Sequence, residues 1–502
     1  MANILTMIKK AKENRKQTMQ KNQLMTWDYV IIGAGIIGVQ TFRILSNKGF
    51  KVLLIDSNDF SSGTSSNSGM LIWGGLLYLK TMDIKSILNF SRSRDRLIDK
   101  DTKNIKVLPV TYLSNKKNIF VDLALWFYWM MSFFKRKQPY RNTQLIEGGE
   151  FNKKYQYKHV FEEALIQSSD SRYVIDLLMA NLNQNPNSQA HNYLELINGK
   201  FEHSNWELTL NDKICGKKAN IVTKNVINCA GVGVDNVNEI LEIQDSPYRH
   251  LWSKGVYLNL VRNQNHKSML IFDDPNNDDV LTFCPVGNVS FFGPTEENID
   301  KDRSTAFQLT NNDISQLKSN YLFCTGKNLK REDIVAFRVG IRSLCVPRSY
   351  SDQGYTLGIS RRSKIYHLPQ KNYAAAYGGK FTGSYKLAKK IVKCFDVKNV
   401  PPETRVTSYW QSKYCQSQTI DTTTAVMREQ CWTLKDYLRH RTFIHQSVPN
   451  GGFGLNFEFR EKLAKLSVNF LDDPACFDVE FEAYLAEQQE LNTLFEESMN
   501  GN

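Results

Sequence analysis

The sequence has few features that would make it anything but a globular cytosolic protein. Its nine cysteines in 502 residues (215, 229, 284, 324, 345, 394, 415, 431 and 476) are odd in number and form no C-x-x-C pair. A zinc site or a disulfide framework is therefore not expected, no metal ligands are assigned, and a reducing compartment fits. No apolar run reaches the roughly 20 residues of a membrane-spanning helix. The nearest, Ile119–Phe134, is broken by Asp122 and Ser132. The N-terminal stretch lacks the continuous apolar core of a secretory signal. Internal repeats, low-complexity tracts and nucleic-acid-binding motifs are missing, and the basic residues are dispersed, so nucleic acid is not expected as a partner. What is present is ordinary: 41% hydrophobic, 12% aromatic and 23% charged residues, which excludes a disordered or fibrous chain. The length predicts two or three domains. The net charge of +13 favours an anionic partner, whether phosphorylated substrate or acidic membrane.

The two ends differ in sign. The first 26 residues carry six basic side chains and one acid, with Ile4, Leu5 and Ile8 spaced for one helical face. They read as a solvated basic arm or as an interfacial helix drawn to anionic lipid. From Leu466 to Asn502 there are nine acids and no Lys or Arg, with Phe477, Phe481, Leu485 and Leu494–Phe495 at helical spacing. That pattern predicts an acidic amphipathic helix packed on the body.

The strongest local signal begins at Trp27. The apolar run Trp27–Ile32 suits a strand buried on both faces. It leads into Gly33-Ala34-Gly35-Ile36-Ile37-Gly38, a helical pattern ending at Gly49, and a second apolar strand ending in Asp56. Gly33 permits the tight turn, Gly35 lets backbone approach a pyrophosphate, and Gly38 lets the helix pack closely on the strand. The helix N-terminus favours the phosphate charge, and Asp56 suits a ribose hydroxyl. The hydroxyl-rich loop Asp59–Ser66, with Gly63, Thr64, Ser65 and Ser66, suits a wrapped and retained cofactor. In Leu71–Leu79 the pair Gly74-Gly75 suits backbone lying against a flat ring. These features favour FAD over NAD.

From Trp27 to about Gln446 the chain resembles the FAD-dependent glycerol-3-phosphate dehydrogenases, within the D-amino-acid-oxidase-like flavoproteins. The motifs fall in family order: DFSSGTSS, LIWGGLLYL, NIFVDLALWFYWMMSFF (118–134), VINCAGVGVDNV (226–237), SKGVYLNL (253–260), REDIVAFRVGIRSL (331–344), GISRR (358–362), YGGKFTGSYKLAKK (377–390) and TLKDYLRHRT (433–442). The resemblance implies an α/β fold, α+β overall, with a Rossmann-like FAD-binding domain from 27–115, 160–240 and 330–395. A β-rich substrate cap would come from 116–159 and 241–329, and a C-terminal helical domain from 400–502, after a basic arm at 1–26. It implies oxidation of a secondary alcohol by hydride transfer to flavin N5, with electrons passed to a quinone. It also implies a cytoplasmic protein peripheral on the inner face of the membrane.

The same resemblance carries Arg342, Arg361, Lys380 and Tyr78 over as substrate-end residues. Gly231, Gly378, Gly379, Lys380 and Thr382 join the cofactor set, the latter placing a helix N-terminus at the flavin pyrimidine. Departures concentrate at the substrate end. Met70, Trp73 and Leu77 stand where the family has Lys, His and Arg; Tyr257 replaces a histidine; Ser384 and Tyr385 replace Tyr and Arg. Tyr257, or His367 if the chain brings it close, is then the candidate to take the hydroxyl proton, with packing as the other role open to Tyr257. Three readings stay open: a glycerol-3-phosphate-type dehydrogenase, a same-fold oxidoreductase acting on another alcohol or an amine, and a non-catalytic flavin-binding protein at a membrane.

Overall fold

The computed structural model describes residues 2–79, 82–142, 155–264, 266–275, 279–299, 303–304, 306–351, 359, 362–400, 422–470 and 477–500. The chain starts with helix α1 (Ala2–Gln23), enters strand β1 (Thr26–Ile32), and passes through the glycine turn into helix α2 (Ile36–Ser46) and strand β2 (Val52–Ile55). Helices α3 (Ile84–Lys100), α4 (Ile119–Met131) and α5 (Asp170–Leu182) follow. Then come strands β3 (Lys217–Asn228), β4 (Tyr248–Val261), β5 (Ile334–Pro347) and β6 (Tyr373–Tyr377), and helix α6 (Ser384–Lys393).

β6, β3, β1, β2 and Gln189–His191 run parallel in that order within an eight-stranded sheet. Every residue of β2, and β1 from Tyr29 onward, is buried, as a parallel sheet covered on both faces requires. The second sheet has ten strands and is built around the long antiparallel pairing of β4 with β5, in which Ser253 faces Arg342, Gly255 faces Gly340 and Tyr257 faces Arg338. The strand Ile105–Ser114 and β5 belong to this second sheet. The segments 27–115 and 330–395 therefore each feed both sheets, because the chain crosses between them rather than completing one before the other.

One segment differs from expectation. α1 is no solvated arm: Ile8, Ala11 and Met19 are buried, and Arg15 on the same face donates from Nε to Asp212 at 2.8 Å. The spacing 8, 11, 15, 19 is one helical stripe, so Arg15 is buried with the packed face while Lys9, Lys10 and Lys21 are exposed on the outer one. α4 buries only Leu125 and Tyr128. It exposes Ile119 (58%), Phe120 (84%), Leu123 (61%), Trp126 and Met130, and Phe133 and Phe134 continue the surface. Beyond α6 lie helix α7 (Thr422–Glu429), which buries Ala425 and Val426, and helix α8 (Phe477–Asn500), which packs by the expected spacing: Phe481, Tyr484, Leu485 and Phe495 are buried. Among the described residues no helix is long and apolar enough to cross a membrane.

Candidate functional site

The glycine turn is dictated by close approach. Gly33 has φ +101°, and a Cβ there would lie 2.5 Å from the Cys229 carbonyl oxygen; one at Gly38 would overlap the Gly33 carbonyl oxygen. The turn is held by the Asp56 carboxylate, which accepts from the Ala34 N–H at 2.7 Å and the Asn58 N–H at 3.0 Å. Burial of this group outweighs those bonds and raises its pKa to about 6. Gly35 caps α2 in extended backbone. The Ser65 hydroxyl sits at the same helix end, accepting from the Ile36 N–H at 3.0 Å.

The loop that follows β2 wraps onto β5. Thr64 donates to the Ile341 carbonyl at 2.8 Å, Ser66 donates to the Gly63 carbonyl at 3.0 Å, and a Cβ at Gly340 would meet the Asn67 carbonyl at 2.6 Å. Beneath it lies a buried ion pair, Arg338 with Asp170; Asp170 also accepts from the Ser68 N–H and hydroxyl at 2.9 and 2.8 Å. Gly231 (φ +58°) follows Cys229 and Ala230, the residues that Gly33 must clear. Gly378 (φ +65°) donates its N–H to His250 Nε2 at 2.8 Å, and Gly379 (φ +123°) would place a Cβ 3.4 Å from Ile37. The Gly378–Lys380 turn is thus laid against the start of α2. Burial lowers the His250 pKa to about 4, so the ring stays neutral and able to accept that N–H.

These residues fit a dinucleotide cofactor. A Cβ at Gly35 would close to 3.1 Å from Ser65 Oγ, so only glycine leaves the open approach to the α2 N-terminus that a pyrophosphate needs. Gly74 behaves otherwise. Its N–H donates to Glu163 at 2.8 Å, and its missing side chain makes room for the Tyr128 hydroxyl and the Arg94 guanidinium. Packing on that buried network accounts for this glycine; Gly75 holds φ +97° against Ile87.

The residues expected at the substrate end form two groups. In the first, Arg342 lies flat over Gly255, where a Cβ would overlap its guanidinium. It pairs with Glu296 at 2.8 Å, and Glu296 also accepts from Ser253 Oγ at 2.8 Å. Tyr257 stands nearby, its hydroxyl against the Gly69 backbone. Burial raises its pKa to about 12, although Arg342 acts in the opposite direction. That shift is opposite to what a base at neutral pH needs. In the second group, Lys380 Nζ lies 4.6 Å from the Tyr78 ring centroid, and Tyr78 stacks on Phe90 at 5.5 Å. Gly378 joins the groups, since a Cβ on it would sit 3.6 Å from the Ser343 carbonyl. Thr382 is buried in the turn that opens α6. Arg361 lies outside the described residues. Its neighbour Arg362 forms a bidentate pair with Asp83, and that bond chiefly holds the Asp83 carboxyl down at about 2.

Three expectations change in this light. Met70 is fully buried in the main apolar cluster, so a cation at that position would face the core. His367 packs on Phe395 in the edge strand Lys364–Leu368, away from both groups. Glu296, Asp170 and His250 join the candidate site without a local sequence signal, because the partners that place them lie 43 or more positions away. A Tyr257→Phe variant is expected to retain its rate of flavin reduction within about threefold, as a hydroxyl that stays protonated accepts no proton; single-turnover absorbance checks this.

Comparison with known proteins follows the same lines. Residues 28–383 match the family model for FAD dependent oxidoreductases (DAO). An aerobic glycerol-3-phosphate dehydrogenase of Staphylococcus epidermidis is 25% identical over 408 residues, 75% of this chain and 68% of its own. Among solved structures, the glycerol-3-phosphate dehydrogenase of Bacillus halodurans complexed with FAD superimposes with a TM-score of 0.60 at 17% identity, covering 97% of this chain and 94% of that one. The L-alpha-glycerophosphate oxidase of Mycoplasma pneumoniae with FAD bound gives 0.58 at 14% identity, covering 77% and 98%.

Proposed function

The chain belongs to the FAD dependent oxidoreductase (DAO) family, and we propose that within it the protein dehydrogenates the secondary alcohol of glycerol 3-phosphate or a closely related small anion, with electrons passing on to a membrane quinone. Its cofactor is FAD. The observation that carries this reading is Arg342, a cation held across the Gly255–Gly340 pair by Glu296 and still partly exposed on its open side. Its Nη atoms otherwise make longer bonds of 3.3–3.4 Å to Ser253, Lys254 and Thr295, which the oxygens of an anion would replace with shorter, charge-assisted ones. Bound FAD supplies the two-electron acceptor for the carbon–hydrogen bond that is oxidised. Asp56 and Gly33–Gly38 would hold its adenosine end, Ser65 and the α2 N-terminus would stabilise its phosphates, and the Gly378–Lys380 turn, propped by His250, would bring positive charge to its ring. Lys380 and Tyr78, in contact with each other, would supply a second cation and a hydroxyl to the substrate end. Anaerobic flavin bleaching by glycerol 3-phosphate, and not by glycerol or glycine, is the expected result of a substrate panel. A second reading, oxidation of an amine, is favoured by the Glu296 carboxylate, which would attract an ammonium; bleaching by glycine alone would select it.

Docking on an anionic membrane is part of the same proposal. The α4 stripe offers apolar side chains to a bilayer interface. Lys116 and Lys117 precede it, and Arg92 lies 4.6 Å over the Phe133 ring. Behind it, Lys85, Arg92 and Arg96 on α3 face Lys386 and Lys390 on α6; partial burial and these four cations lower the Lys386 pKa. Anionic headgroups would relieve that repulsion. Flotation with vesicles containing anionic phospholipid is expected at low salt and should weaken as salt rises. The triple variant Phe120→Ser, Leu123→Ser, Trp126→Ser should partition about 100-fold less, at roughly 1 kcal/mol per side chain.

A further inference from the structure

The motif Thr433–Thr442 takes no part in the site described above, and it lies outside the matched residues 28–383. Its structure is specific. Thr433 and Asp436 form a capping box, and the backbone then makes a π-turn over Tyr437–Arg441. That turn aims two neighbouring side chains at one carboxylate, Asp59. Arg441 donates from Nη1 to Oδ2 at 2.7 Å and from Nη2 to Oδ1 at 2.9 Å. His440 Nδ1 lies 2.8 Å from Oδ2, and Asn192 donates to Oδ1 at 2.6 Å. Asp59 and Arg441 are 1% and 3% exposed. Arg441 is itself anchored, donating to the Glu429 carbonyl at 2.7 Å, while the Glu429 carboxylate accepts from both Nη atoms of Arg172 on α5. Asp59, Asp436 and His440 converge within 4.8 Å, as metal ligands would. Here, however, the Arg441 guanidinium supplies the positive charge, and Asp436 accepts from the Tyr193 hydroxyl and the Thr433 N–H.

Asp59 opens the loop that carries Ser61, Thr64 and Ser65. Two residues on, the Ser61 N–H donates to the Ala34 carbonyl inside the glycine turn at 3.1 Å; six residues on, Ser65 reaches the α2 N-terminus. A buried carboxylate stripped of its guanidinium must find water or another donor, and the route open to Asp59 is to turn outward with this loop. We propose that Arg441 and His440 are positioning residues for the FAD loop. Acting through Asp59, the C-terminal segment sets the affinity for the cofactor from outside the family domain. This rests on FAD as the cofactor and not on the substrate, so a protein that binds FAD but leaves glycerol 3-phosphate untouched would still test it.

The test is FAD affinity of apoprotein, read by quenching of flavin fluorescence, beside the thermal midpoint of the same apoprotein. Arg441→Met and Asp59→Asn are each expected to weaken FAD binding about 30-fold or more, and the double variant no more than either single one, since they break the same contact. A role confined to stability would lower the apoprotein midpoint and leave FAD affinity within threefold of the parent; that result overturns the proposal, as does additivity in the double variant. If Arg441→Met does not fold, Asn192→Ala removes one donor to Asp59 without stripping its charge partner. A loss of about threefold to tenfold in FAD affinity is expected there, and unchanged affinity contradicts the proposal equally.

Discussion

Gly35→Val is expected to purify as a folded but colourless protein, with FAD affinity reduced by about 100-fold or more. The physical basis is the contrast between neighbouring glycines. Gly33 has a positive φ, and a Cβ there would strike backbone at Cys229 and Ala230, so replacing it strains the turn and the fold together. Gly35 sits at φ −75° in extended backbone, which any residue adopts. Its Cβ would meet only Ser65, at 3.1 Å from Oγ and 3.9 Å from Cβ. Valine can therefore be accommodated by the protein, but its methyl groups fill the approach to the α2 N-terminus, where the charge of a pyrophosphate is stabilised. Circular dichroism should be unchanged, and added FAD should not restore the flavin spectrum. A yellow Gly35→Val protein would show that the pyrophosphate lies elsewhere.

Arg342→Ala should lower the efficiency of flavin reduction by glycerol 3-phosphate about 10- to 100-fold, with most of the loss in substrate affinity. One or two charge-assisted hydrogen bonds to an oxyanion contribute roughly 1.5–3 kcal/mol, and each 1.4 kcal/mol is a factor of ten. The variant also takes the Arg342 cation away from the nearly buried Glu296 carboxylate, so substrate and carboxylate would repel. Arg342→Ala/Glu296→Gln is therefore expected to recover part of the lost affinity. If the single variant binds and reacts as the parent does, the anion is held by other groups.

What the sequence reveals about this molecule depends on how local each feature is. The turn from β1 through α2 to Asp56 is legible because glycine spacing, helix start and strand end lie within 24 residues and satisfy one another. Thr64 and Ser65 are legible as loop hydroxyls, although the choice of Ile341 and Ile36 as partners is not. Arg342 can be singled out by its motif, but Glu296 reaches it across a strand pairing, and nothing near either residue foretells the meeting. Gly74 is legible as a glycine suited to a ring platform, but Tyr128 and Arg94, 54 and 20 positions away, which a side chain there would strike, are not. The exposure of α4 is hidden from composition, since an apolar run reads alike whether buried or displayed. Its one acid near the start, Asp122, turns out to be engaged by Arg141 and His159.

The most direct measurement is anaerobic stopped-flow absorbance of the FAD-loaded protein mixed with glycerol 3-phosphate and, separately, with glycerol. Bleaching of the flavin that saturates with glycerol 3-phosphate, and is at least about 100-fold less efficient with glycerol, is the predicted result, since Arg342 and Lys380 offer charge that only the phosphate ester can use. Equal bleaching by both alcohols, or none by either while an amine bleaches the flavin, would contradict the account.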